Sequence, residues 1–141
     1  MIVTADRYHD FSCGHRVHGH ESKCRFLHGH NYRVTFVCEG DDGLDRLGRV
    51  LDFGAIKARL CEWLEREWDH RFLVWANDPL EPFLRSCDPE GVVAVDFNPT
   101  AENMAIFLLT VVGPHQLADT GVVLTSVRVE ETRKCSAEAS L

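Results

Sequence analysis

Histidines are concentrated near the start of the chain, in a pattern that could bind a metal ion. Five of the eight histidines lie between residues 15 and 30, and His-Gly-His occurs twice, at 18–20 and 28–30. Two histidines at i and i+2 on a strand point to the same side, with Cα atoms about 6.5–7 Å apart, which suits two ligands of one ion. His15, on a neighbouring extended segment, could supply a third. Three neutral imidazoles with one open position are typical of catalytic zinc.

The two His-Gly-His pairs have the same spacing, so spacing alone does not decide between them. His28 and His30 continue into a segment of alternating apolar residues, which would hold their side chains rigidly. His18 and His20 lie among polar residues typical of a loop. We therefore predict that the second pair binds the metal ion. A set of ordinary structural histidines is the alternative.

The elements that position these residues follow from periodicity. Alternation predicts extended segments at 2–16 and 28–39, a short buried strand at 91–97 and a last strand at 121–132. Helical spacing predicts one helix from an Asp52 cap to about Trp68, and a second from about Thr100 to Gly113. We expect segment 71–90 to be irregular and the tail after Thr132 to be frayed. This order favours a single α+β domain over residues 1–141, with helices on one face of an antiparallel sheet.

Composition excludes several classes of protein. The 141 residues are 45% hydrophobic and 26% charged, as in an ordinary globular domain. The net charge of −7 and the lack of a basic stripe argue against nucleic acid as a partner. No segment approaches the roughly 18 apolar residues of a membrane span. The N-terminus lacks a secretory signal, so we expect a cytoplasmic protein whose six cysteines are thiols.

Six motifs, in order along the chain, resemble those of the 6-pyruvoyl-tetrahydropterin synthase family, which includes bacterial 6-carboxy-tetrahydropterin synthases of queuosine biosynthesis. They extend from residue 11 to residue 132. The motifs are FSCGHRV (11–17), CRFLHGHNY (24–32), LDFGAIK (51–57), WDHRFL (68–73), PTAEN (99–103) and VEET (129–132).

The resemblance implies zinc as the cofactor, held by His15, His28 and His30. It assigns Cys24 as the thiolate that takes a proton from carbon, whereas from the residues alone Cys24 could be an ordinary loop thiol. His18 and His20 match nothing in the family pattern.

The resemblance also implies that Asp69 and His70 assist proton transfer opposite the cysteine. Without it, His70 could equally be a histidine favoured by a helix C-terminus. Glu131 matches the glutamate that binds the pterin ring in the family. Strand parity puts its neighbour Glu130 on the opposite face of the sheet.

Thr100 and Glu102 are further candidates for lining the pterin pocket. A helix cap and a first-turn acidic residue explain these two positions equally well. The resemblance leaves both explanations open.

Members of this family adopt the T-fold, an antiparallel sheet with two helices on one face. Subunits associate through sheet edges into barrels, commonly a hexamer made of two trimers, with active sites between subunits. The resemblance therefore implies a homo-oligomer in which Cys24 and the Asp69–His70 pair need not meet within one subunit.

The expected activity is that of a zinc-dependent lyase on 7,8-dihydroneopterin triphosphate, a small-molecule pterin. The expected product is 6-carboxy-5,6,7,8-tetrahydropterin, with release of acetaldehyde and triphosphate. Elimination of triphosphate to give the 6-pyruvoyl product is the first alternative, since the motif residues are shared. The alternative from another class is a non-catalytic zinc-binding assembly protein, against which the retention of Cys24, Asp69, His70 and Glu131 argues.

Overall fold

The computed structural model describes residues 1–141 as one six-stranded sheet with helices packed on one face. The sheet order is β4-β3-β1-β2-β5-β6. The β1–β3 and β3–β4 pairs are parallel and the other three are antiparallel, so the α+β class is confirmed but the sheet is mixed. The strands are β1 (Thr4–His15), β2 (His28–Gly40), β3 (Arg71–Trp75), β4 (Val92–Val95), β5 (Val122–Glu130) and β6 (Ser136–Ser140).

Two long helices begin where the sequence predicts. The Asp52 side chain accepts a hydrogen bond from the Gly54 amide, and Thr100 accepts one from Asn103, as N-caps do. None of the helices is both long and apolar enough to span a membrane. The first runs through Phe53–Ile56, a π-helical turn Lys57–Cys61 and Glu62–Glu67; the second runs through Ala101–Phe107, a π-helical turn Leu108–Val112 and Gly113–Gln116.

The second helix continues past the point where we expected it to end. In its π-helical turn the Gly113 amide bonds the Leu108 carbonyl, five residues back rather than four. Proline inside a regular α-helix clashes with the preceding turn, and the wider turn before Pro114 gives its ring room. The predicted end at Gly113 was therefore wrong.

Two further expectations were wrong. Segment 71–90 is not irregular, because it contains β3 and a short helix, Glu81–Cys87, in which Pro82 occupies the first turn, where proline is tolerated. The tail is not frayed, because β6 pairs with β5 and turns Ala137 and Ala139 toward the core. Both strands have five residues, too few for a clear alternating pattern.

The loop between β1 and β2 is fastened to the chain near residue 78 by a buried ion pair. Arg16 donates two hydrogen bonds to the Asp78 carboxylate, at 2.6 and 2.9 Å, and a third at 3.2 Å to the Arg25 carbonyl. The Asp78 side chain is fully buried and also accepts from the Leu80 amide. Nearby, Arg16 bonds the His18 ring, which accounts structurally for one histidine of the first pair.

We expect Asp78→Asn to destabilise the fold by about 3 kcal/mol, because breaking a buried ion pair leaves Arg16 with an uncompensated charge. Chemical denaturation measures this change. The matched control is Asp10→Asn, which breaks the exposed Asp10–Arg33 pair and should cost less than about 1 kcal/mol. Equal losses in the two variants would contradict the structural role given to the buried pair.

The same variant has a predictable pH dependence. Burial raises the pKa of Asp78, but hydrogen bonds from Arg16 and Leu80 outweigh it and hold the pKa below the ordinary 3.8. A lowered pKa contributes stability above the unfolded value, and the contribution is lost as the pH falls below it. The stability gap between the wild type and Asp78→Asn should therefore shrink below about pH 4.

Candidate metal centre

The antiparallel register of β1 and β2 brings three imidazoles together at one end of the core. His15 pairs directly with His28, and Cys13 pairs with His30, so these side chains share one face of the sheet. The three ring centroids are 4.6 to 5.1 Å apart, and one ligand nitrogen from each histidine lies within 4.8 Å of the others. The structure thus gathers the three predicted ligands.

Backbone carbonyls orient two of these rings. The Nδ1 of His15 lies 2.7 Å from the Pro99 oxygen, and the Nδ1 of His28 lies 2.7 Å from the Phe26 oxygen. A carbonyl only accepts, so each Nδ1 carries the hydrogen and the neutral ring has its lone pair on Nε2. This second hydrogen bond is how ligating histidines are usually held. Sequence reasoning missed both carbonyls, since a backbone acceptor has no residue signature, although Pro99 opens the PTAEN motif.

The ligand nitrogens themselves fit a metal ion. The Nε2 atoms of His15 and His30 are buried and have no hydrogen-bond partner. An unsatisfied buried polar atom costs about 1–3 kcal/mol, which a bound cation would offset. Burial lowers the pKa of His15 to about 4 and also lowers that of His30, so both rings are in the neutral form that ligands require. The residues therefore fit a divalent metal ion with three imidazole ligands.

Glu131 brings a carboxylate beside these nitrogens. Its two oxygens lie 3.9 Å from the Nε2 of His15 and 3.9 Å from the Nε2 of His30. Burial raises the pKa of Glu131, and the negative charge of Glu102 adds to the effect. Glu130 pairs with Arg33 in the sheet register. A role for Glu131 in pterin binding stays a prediction.

Cys24 lies in a one-turn helix, Lys23–Arg25, within the loop that leads to His28. It is half-buried, and its carbonyl accepts a 2.8 Å hydrogen bond from the Val17 amide. Burial raises the pKa of the Tyr32 hydroxyl, and the negative charge of Glu131 raises it further. Tyr32 in turn packs edge-on against two of the imidazoles. A catalytic role for Cys24 stays a prediction.

Cys13 is the other thiol near the histidines. It is buried, and burial raises its pKa to about 12. A thiol that stays protonated is a poor base and a poor nucleophile. Cys13 thus packs in the core, as the strand parity predicts.

Asp69 and His70 form a hydrogen-bonded pair at the end of the first long helix. Asp69 accepts from the His70 ring at 2.8 Å and from the Ser12 amide at 3.0 Å. His70 adopts a left-handed backbone with φ 58°, and its side chain is 80% exposed. It lines a cavity of about 460 Å³ with His28 and His30. Cys24 is not among the residues that line this cavity.

Thr100 and Glu102 lie at the start of the second long helix. The Thr100 hydroxyl accepts the Asn103 amide at 3.1 Å, which is the N-cap that the alternative explanation predicts. Glu102 is exposed, and its negative charge contributes to the raised pKa of Glu131. A role for either residue in pterin binding stays a prediction.

Comparison with known proteins gives consistent matches along the whole chain. Residues 4–140 match the family model described as 6-pyruvoyl tetrahydropterin synthase. A Rickettsia typhi protein named 6-carboxy-5,6,7,8-tetrahydropterin synthase is 34% identical over 138 residues, covering 97% of this chain and 99% of the relative. A Haemophilus influenzae protein of the same name is 28% identical over 128 residues, covering 86% and 87%.

Solved structures agree in fold. An uncharacterized Wolinella succinogenes protein is 28% identical, covers 99% of this chain and 98% of its own, and superposes with a TM-score of 0.87. The Caenorhabditis elegans 6-pyruvoyl tetrahydropterin synthase is 26% identical, with coverages of 100% and 96% and a TM-score of 0.71. These likenesses confirm the T-fold that the motifs predict.

We expect His28→Ala to weaken binding of a divalent ion such as Co²⁺ more than about a hundredfold, because even loss of an outer-sphere partner costs 10–100-fold. Competition with a chelating dye measures the dissociation constant. His20→Ala is the matched control, since it removes a histidine of the duplicate pair and should leave the affinity unchanged. Equal effects of the two substitutions would contradict the assignment of the ligands.

Proposed function

The chain belongs to the 6-pyruvoyl tetrahydropterin synthase family, and from that premise we propose that it is a zinc-dependent lyase acting on 7,8-dihydroneopterin triphosphate. The proposed products are 6-carboxy-5,6,7,8-tetrahydropterin, acetaldehyde and triphosphate. The names of its curated relatives support this product. The pterin ring is reduced while its own side chain is oxidised, so no external reductant is needed.

The observation that carries the proposal is the set of three imidazoles whose ligand nitrogens lie within 4.8 Å of one another. His15, His28 and His30 would hold zinc, with His15 and His28 fixed by the carbonyls of Pro99 and Phe26. Zinc, when bound with an open position, supplies a Lewis acid that polarises an oxygen of the substrate side chain. The fixed rings keep their nitrogens in place through turnover, which preserves the orientation of the substrate.

In this proposal Cys24 removes a proton from a side-chain carbon. A cysteine accepts a proton only as the thiolate. Lys23 and Arg25 flank it in the same turn. The bond between the Cys24 carbonyl and the Val17 amide ties this turn to the segment that follows His15, which would hold the sulfur near the substrate.

The Asp69–His70 pair would move a proton on the other face of the substrate. Asp69 accepts the His70 Nδ1 hydrogen, which fixes the tautomer and leaves Nε2 to exchange a proton. Because His70 is exposed and Cys24 lies outside its cavity, we infer that the two act together between copies of the chain in a homo-oligomer. The unpaired outer edges of β4 and β6 support association, because such edges invite pairing with another strand.

Glu131 is proposed to recognise the pterin ring. A carboxylate accepts two parallel hydrogen bonds from a 2-amino-pyrimidinone edge, as it does from other planar pairs of donors. The side chain has no hydrogen-bond partner of its own in the chain and is 21% exposed, so its oxygens are available to a ligand. Thr100 and Glu102 remain candidates for the wall of the same pocket.

The second candidate activity forms the 6-pyruvoyl product by eliminating triphosphate. It is favoured by the likeness to the Caenorhabditis elegans 6-pyruvoyl tetrahydropterin synthase. Both reactions would use the same metal centre and the same proton-transfer groups. They differ in what happens to the six-position side chain of the substrate.

The direct test is to incubate the zinc-loaded protein with 7,8-dihydroneopterin triphosphate and identify the products by mass. We expect a 6-carboxy-tetrahydropterin and acetaldehyde in equal amounts. A product that keeps a pyruvoyl group at the six-position would establish the second activity. Absence of turnover in metal-loaded protein would contradict both and leave a zinc-binding assembly protein.

We expect Cys24→Ala to keep the metal and lose at least about a hundredfold in kcat, the lower end of the range for removal of a general base. Metal content by mass spectrometry and steady-state kinetics give the two readouts. Cys135→Ala, which removes an exposed thiol outside the site, is the control and should have wild-type kcat. Full activity of Cys24→Ala would show that another group takes the proton.

A further inference from the structure

An apolar cavity of about 200 Å³ lies between the two long helices and β4, and we call it the aromatic cavity. Four aromatic rings from three separate parts of the chain form much of its wall. It shares no lining residue with the cavity beside His28, His30 and His70, so the proposed function makes no use of it. The four rings are those of Trp63, Trp68, Phe97 and Phe107.

The elements around the aromatic cavity place it at the edge of the fold. Trp63 and Glu67 are four residues apart in the first long helix, so their side chains lie on one face of it. Residues of β4 form another wall of the cavity. Because β4 is the outermost strand of the sheet, no further strand covers this side. Trp63 and Phe107 are accordingly only half-buried, and a ligand can reach the cavity from the solvent.

The aromatic rings contact one another at steep angles. The centroid of Trp63 is 5.2 Å from that of Trp68, with the ring planes inclined by 71°, and 6.2 Å from that of Phe107, with an inclination of 53°. The Phe97 and Phe107 centroids are 5.2 Å apart. A cation among rings this close together would lie within about 6 Å of more than one centroid, the range over which cation–π attraction acts.

Two carboxylates complete the lining of the aromatic cavity. Glu67 and Asp96 are exposed, whereas the four rings are buried or half-buried, so the carboxylates lie where the cavity meets the solvent. The Oε1 of Glu67 is 3.7 Å from the Nε of Arg66, which is too long for a hydrogen bond. No cationic side chain lines the cavity. The walls are therefore aromatic and the entrance is acidic.

We propose that the aromatic cavity binds a compact organic cation, namely an ammonium compound with an apolar body. A neutral ligand would cover the rings but would take the carboxylates out of water without a partner, which costs free energy. The same carboxylates would repel an anion. A cation interacts favourably with both the ring faces and the carboxylates, as quaternary ammonium ligands do in aromatic cages. The cavity is smaller than the about 300–1,000 Å³ of sites for drug-sized ligands, so the cation must be small.

The test uses choline as the probe and full-length protein in which all three tryptophans carry 5-fluorotryptophan. Each tryptophan then gives its own ¹⁹F signal, and Trp→Phe variants assign the three signals. We expect choline to shift the signals of Trp63 and Trp68 saturably and to leave that of Trp75, which does not line the cavity, unchanged. The compound 3,3-dimethyl-1-butanol has the shape of choline without its charge, and it should bind at least about tenfold more weakly.

Charge variants test the acidic entrance. We expect the double variant Glu67→Gln, Asp96→Asn to bind choline at least about threefold more weakly, because each exposed carboxylate contributes a modest attraction. The matched control is Glu62→Gln, which removes the same charge from an exposed position of the same helix outside the cavity and should keep the wild-type affinity. All three replacements are conservative and lie at exposed positions, and thermal unfolding confirms that the variants are folded.

Several results would overturn the proposal. Equal affinities for choline and 3,3-dimethyl-1-butanol would show that charge plays no part and that the cavity takes an apolar occupant. Equal losses in the double variant and in Glu62→Gln would indicate general electrostatic attraction, and absence of a saturable shift at Trp63 and Trp68 would exclude the site. None of these measurements requires turnover, so their outcome is independent of the proposed lyase activity.

Discussion

The metal centre depends on the register between β1 and β2. The pairs His15–His28 and Cys13–His30 put every candidate ligand on the face that carries the hydrophobic core. A slip of one residue would turn these side chains to the opposite face, because successive residues of a strand alternate. The apolar residues of the same two strands oppose such a slip, since it would also expose them. Core packing and metal binding therefore both depend on the register between β1 and β2.

The backbone next to the histidines is packed as tightly as the register allows. A β-carbon on Gly29 would lie 2.8 Å from the Cys13 carbonyl, and one on Gly14 would lie 2.6 Å from the ring of Phe72 in β3. Only glycine permits that approach without a shift of the neighbours. On the core side, Phe11 stacks on Tyr32 with ring centroids 5.5 Å apart. Closely packed neighbours therefore hold the three imidazoles in place, as a preformed ligand set requires.

The chain between the two long helices supports the same site from outside the sheet. Asp78 binds Arg16, which follows a metal-ligand candidate directly and also bonds the Arg25 carbonyl next to Cys24. Asn98 bonds both the amide and the carbonyl of His18. The loop that carries Cys24, the proposed base, is thereby tied to residues more than 60 positions away. Part of the chain between the two long helices, to which the sequence assigned no role, therefore helps to hold this loop.

Local signals determined much of this protein. The caps at Asp52 and Thr100, the alternation of β2 and the spacing of His28 and His30 all act within a few residues, so they are legible in the sequence itself. Tertiary structure alone decided the parallel pairing of β3, the addition of β6, the carbonyls that orient His15 and His28, and the approach of Glu131 to the imidazoles. Pro99 is 84 residues from His15, and a backbone oxygen is the same in every residue. A contact between a side chain and a distant backbone oxygen leaves no pattern along the chain. It forms only when folding brings the two residues together.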